Sequence, residues 1–83
     1  MQRFEEAITA FQSAVAIFQN TGERHREGVA LGNLANALLQ VGRPAEAIVA
    51  YQDASVIFRD TGDQHHEGMA LENLEVARAV RQD

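Results

Sequence analysis

The chain has 83 residues, 46% of them hydrophobic and 23% charged, a composition that folds into one small domain rather than staying disordered. It has no Cys, which excludes disulfides, thiolate chemistry and zinc ribbons, and no apolar run is long enough to span a membrane. A net charge of −5 argues against nucleic acid as the main partner.

Residues 3–20 carry Ala7, Phe11, Ala14 and Phe18 at spacings of four, three and four, which is one face of a 3.6-residue helix. Glu5 and Glu6 stand in its first turn, where acidic groups complement the helix dipole. Asn20-Thr21-Gly22 stops it, with Gly supplying a left-handed position after the last turn. Residues 24–41 carry a second stripe, Leu31, Leu34, Ala35 and Leu38. This segment ends at Val41-Gly42-Arg43-Pro44, where Gly closes one helix and Pro pre-sets the first turn of the next. Residues 44–60 restate the first stripe as Ala47, Tyr51, Ala54 and Phe58 and stop at Asp60-Thr61-Gly62. Residues 64–81 form a fourth helix, and the short turns predict that neighbours pack antiparallel.

The order of these elements is an internal repeat. Sliding the chain by 40 residues makes 19 of the 35 pairs between 3–37 and 43–77 identical, far above chance. Small residues (Ala7, Ala14, Gly28, Gly32, Ala47, Ala54) recur beside large ones (Phe11, Phe18, Tyr51, Phe58), as stacked helical hairpins need for a continuous core. The Gly-containing breaks exclude a coiled coil.

With Leu31, Leu34-Ala35, Leu38, Ala47, Tyr51 and Ala54 at its characteristic places, the chain resembles the tetratricopeptide repeat (TPR) family. The 40-residue period and the stretch Glu27 to Asn36 resemble its long-helix subclass, that of kinesin light chains and leucine-glycine-asparagine repeat proteins. The resemblance implies an all-α fold of antiparallel helical hairpins, stacked as a short right-handed α-solenoid of four helices in the order B-A-B-A. Residues 3–20 would be the second helix of a partial repeat and 24–60 a complete repeat. Residues 64–81 would be the first helix of a further partial repeat, all within a single domain over 1–83.

The resemblance also implies a peptide-binding concave face lined by the first helices of the repeats. By position its residues are Asn33, Asn36 and Asn73, with Val29, Leu39 and Gln40 alongside. An Asn amide both donates and accepts, so it can pair with a peptide backbone whatever the sequence. The competing reading is an Asn that steadies inter-repeat turns or faces water. Val76, where Asn36 has its counterpart, interrupts the ladder.

The two ends differ. Glu75 and Arg78 replace Ala35 and Leu38, charges that are costly to bury unpaired, so 64–81 reads as a solvated C-terminal cap. Phe4, Ile8, Phe11, Val15 and Phe18 are more than one neighbouring helix can cover. They predict either the C-terminal piece of a longer array or a homodimer or higher homo-oligomer. That assembly would form through the first helix or by swapping helices at the Gly42–Pro44 turn.

Other sites are weak. Arg24-His25-Arg26 corresponds to Gln64-His65-His66 and reads as a solvated rim. Adjacent His65 and His66 diverge on a helix, and the match begun by His66-Glu67 ends in Ala70, so no metal is expected. No catalytic triad, phosphate loop or paired carboxylates are recognisable, so neither an enzyme nor a cofactor is expected. The sequence therefore reads as a cytoplasmic protein-interaction module with a protein or peptide partner, without nucleic acid or membrane.

Overall fold

The computed structural model describes residues 2–82, and these form four helices: α1 (Gln2–Thr21), α2 (Arg24–Gln40), α3 (Pro44–Asp60) and α4 (Gln64–Gln82). Each boundary lies within a residue or two of its predicted place. The three turns share one device. Gly22, Gly42 and Gly62 all have φ between 74 and 80°, a conformation that favours glycine. The amide after each Gly donates back five residues: Glu23 to the Phe18 carbonyl, Arg43 to Leu38, and Asp63 to Phe58. This is the Schellman closure, and it satisfies carbonyls that a helix end leaves open.

Consecutive helices pack against one another, α1 on α2, α2 on α3 and α3 on α4. The chain measures 35 × 26 × 15 Å, which fits helices of about 25 Å stacked two layers deep. The architecture is that of a small all-α helical repeat. Among the described residues, no helix is long and apolar enough to cross a membrane.

The core centres on α3. Ala47, Ile48, Ala50, Tyr51, Ala54, Ile57 and Phe58 are buried there, meeting Leu31, Ala35 and Leu38 of α2 and Ala70, Leu74 and Ala77 of α4. The α2–α3 contact is close: a Cβ on Gly28 would lie 2.9 Å from Ile57 Cγ2 and 3.1 Å from the Phe58 ring. Nothing larger than Gly fits there without movement. Glu27 is buried beside it, held by Gln19 Nε2 at 3.2 Å and by Arg24 Nη1 at 3.5 Å.

The residues predicted for self-association divide. Phe4 is exposed, and Phe11, Val15 and Phe18 are half-buried, whereas Ile8 is only 3% exposed and belongs to the core. Ile8 therefore differs from the sequence expectation. Resting on α2 turns one stripe of α1 inward, and Ile8 lies on that stripe. At the other end Glu75 and Arg78 are exposed and pair with each other at 2.9 Å.

A candidate binding cleft between the second and fourth helices

The 40-residue repeat sets α2 and α4 side by side across α3, so residues one period apart face each other. Asn33 and Asn73 are such a pair, as are Val29 and Met69. These four, with Asn36, Gly32, Ala70 and His66, line a cleft of about 190 Å³ floored by Tyr51 and Phe58. Val29 is 38% exposed and Met69 45%, so the walls are apolar and accessible. The cleft thus combines apolar surface with a few convergent amides, the usual make-up of a recognition site.

Of the residues the sequence nominated, Val29, Asn33, Asn36 and Asn73 converge here. Leu39 packs against the core instead, and Gln40 is exposed at the end of α2 without lining the cleft. Asn36 is oriented from below: the Tyr51 hydroxyl donates to its Oδ1, which leaves its amide protons to point elsewhere. Burial pushes the Tyr51 hydroxyl above its ordinary pKa, so it stays protonated and able to donate. Met69 and His66 were not nominated from the sequence. The period contained the signal for Met69, since it stands 40 residues after Val29.

A second groove adjoins the first. Phe11, Ala14 and Phe18 of α1 meet Arg26, Val29, Ala30 and Asn33 of α2 around an open, mostly apolar volume of about 270 Å³. Val29 and Asn33 border both grooves, so the two form one continuous surface.

At one end of the cleft the starts of α2 and α4 come together. Asp63 Oδ1 accepts the His66 backbone N–H at 3.0 Å, capping α4. Its Oδ2 lies 2.8 Å from His25 Nε2 and 2.7 Å from His66 Nδ1. The His25 bond, then the backbone bond, hold the Asp63 pKa down at about 2, so the carboxylate is charged at neutral pH. Both rings rest on Phe58, with centroids 5.6 Å from it for His25 and 5.2 Å for His66. Arg24 beside them reaches the end of α3, where it pairs with Asp60 at 3.4 Å.

No curated protein and no solved structure gives a match to this chain. A family model, described as tetratricopeptide repeat, matches residues 1–60, which span α1, α2 and α3. With the repeat, the stacked helices and this match in agreement, the chain belongs to the tetratricopeptide repeat family.

Proposed function

We propose that the chain is a cytoplasmic protein-interaction module whose cleft between α2 and α4 takes an extended or helical peptide. Tetratricopeptide repeats generally mediate contacts between proteins and are generally non-enzymatic scaffolds. The observation that carries the reading is the convergence of Asn33, Asn36 and Asn73 on one apolar-walled cleft, with Asn36 held by Tyr51. Three amides spaced along a groove offer donors and acceptors to a peptide backbone, while Val29 and Met69 offer apolar contact to its side chains. The phasing supports a complete repeat over 24–60 flanked by a partial one on each side, and the 40-residue period favours the long-helix subclass.

The test is a random peptide library displayed on phage, selected against the full chain, with the enriched peptide then titrated by calorimetry. Asn33→Ala with Asn73→Ala is expected to weaken that peptide tenfold or more while the circular dichroism and the melting temperature stay the same. Enrichment of no peptide, or binding indifferent to both substitutions, overturns the reading.

A second reading rests on the adjoining groove. By the period, α1 and α2 stand to it as α3 and α4 stand to α2. The groove of Phe11, Ala14 and Phe18 is therefore where one more helix of the first-helix type would pack. Without such a helix in this chain, a second copy would cover the groove by laying its own α1 against this one, face to face, and the chain would then be a structural homodimer. Light scattering over a tenfold concentration range decides: twice the chain mass, lost on Phe11→Glu, supports this assembly, and a constant single-chain mass rejects it.

A further inference from the structure

We propose that His25, Asp63 and His66 form a binding site for one divalent transition-metal cation of the zinc type. The sequence argued against metal because His65 and His66 diverge on one helix and no ligand follows at the right spacing. The fold supplies what the spacing lacks. His25 comes from the first turn of α2, Asp63 caps α4, and His66 is the third residue of α4. Each offers one ligand atom, and the three atoms lie within 4.8 Å of one another. His65, the repeat counterpart of His25, is not part of the set.

Two imidazoles and a carboxylate suit zinc, nickel, copper and cobalt rather than magnesium or calcium, which favour oxygen donors. A tetrahedral cation with bonds of about 2.1 Å holds its ligand atoms roughly 3.4 Å apart. The present contacts of 2.7 and 2.8 Å from Asp63 Oδ2 need to open by only part of an ångström to admit it. The chemistry balances without loss of a proton. In its neutral form each ring donates from the nitrogen facing Asp63, and coordination needs that nitrogen's lone pair. The proton therefore moves to the far nitrogen of the same ring, and Asp63 Oδ2 passes from accepting two hydrogen bonds to ligating the cation.

The site is also held in advance. Phe58 packs against both rings, and Asp63 Oδ1 stays on the His66 backbone N–H whether or not Oδ2 binds a metal. Half of the His25 side chain is exposed, which gives a cation a way in. Three protein ligands leave at least one position for water or for a group of an incoming partner. Because His66 also lines the cleft, such a group could come from a bound peptide.

The test is a calorimetric titration of Zn²⁺ into the full chain without an affinity tag, with Mg²⁺ as the contrasting cation. Saturation near one Zn²⁺ per chain is expected, with no heat from Mg²⁺. Asp63→Asn preserves the helix cap and removes the anionic ligand, and it is expected to weaken binding tenfold or more, as are His25→Gln and His66→Gln. His65→Gln should leave the affinity unchanged. On the unmodified chain, ¹⁵N spectra of the imidazoles should show Zn²⁺ shifting His25 Nε2 and His66 Nδ1. Absence of saturable binding, dependence on His65 instead, or unshifted His25 and His66 nitrogens would overturn the site.

Discussion

Helices α1 and α3 are equivalent in the repeat and share much of their apolar stripe, yet their surroundings give them different roles. Ala7, Ile8, Ala14, Ile17 and Phe18 recur forty residues later as Ala47, Ile48, Ala54, Ile57 and Phe58. In α3 all five are buried, whereas among the described residues of α1 only Ile8 is. Ile17 is 56% exposed and Ile57 is 3%. The cause is the number of neighbours: among the described residues α3 packs against both α2 and α4, whereas α1 has its main packing on α2. Side-chain identity decides what can be buried, and the position of a helix in the stack decides what is. The complementary contrast lies in α2 and α4, where Ala35 and Leu38 are buried and their counterparts Glu75 and Arg78 face water.

The comparison breaks most visibly at the two phenylalanines. Phe58→Ala removes a ring packed among α2, α3 and α4 and is expected to cost about 3–5 kcal/mol. For a domain held by roughly 5–10 kcal/mol that is most of the stability. Phe18→Ala removes a half-buried ring at the edge of an open groove and should cost about 1 kcal/mol. Urea denaturation of both variants measures the difference. If a second copy covers α1, the cost of Phe18→Ala rises with protein concentration, and the comparison then reports assembly as well as packing.

A smaller pair of opposite signs comes from the glycines. Gly28 and Gly68 are equivalent in the repeat, but a methyl at Gly28 meets Ile57 and Phe58, while a methyl at Gly68 meets nothing within 4 Å. Ile57 is β-branched and fully packed, so it has little freedom to move aside. Gly28→Ala is expected to destabilise by about 1–3 kcal/mol. Gly68→Ala should stabilise by about 0.5–1 kcal/mol through helix propensity alone. Thermal melts that moved in the same direction would mean that α4 carries a neighbour at Gly68 that the single chain does not have.

These contrasts also show which features the sequence makes legible. Helix ends are local: a left-handed Gly and the amide after it close α1, α2 and α3, so Gly22, Gly42 and Gly62 mark the turns without knowledge of the rest. The cleft was partly legible because the period converts sequence distance into adjacency, bringing Asn33 opposite Asn73. Leu39 and Gln40 fell outside it because a stripe read at 3.6 residues per turn does not say how far the helix is rotated toward its neighbours. Ile8 was placed on the open face for the same reason. The His25–Asp63–His66 cluster lay beyond such reading. Its histidines are 41 residues apart, one more than the period, and only the side-by-side starts of α2 and α4 bring them together.

The finest difference is electrostatic and belongs to the turn that joins the two halves. Arg43 grips Glu46 through two bonds of 2.7 Å and approaches Glu5 of α1 at 3.8 Å. The Arg43 hydrogen bonds, aided by its charge, draw the Glu46 pKa below the ordinary 4.5 and raise that of Arg43. A carboxylate with a lower pKa in the folded chain takes up its proton more readily when unfolded. The stability it contributes is therefore present above pH 4.5 and is lost as pH falls below that value. Both groups are solvent-facing, so the effect is small and screened by salt. Glu46→Gln should flatten the acid side of the stability–pH curve slightly at low ionic strength. The same substitution made on top of Arg43→Gln should leave the curve where Arg43→Gln alone puts it. A Glu46 effect that persists without Arg43 would assign the acid sensitivity to the first turn of α3, where the carboxylate faces the helix dipole, rather than to the link between the two halves.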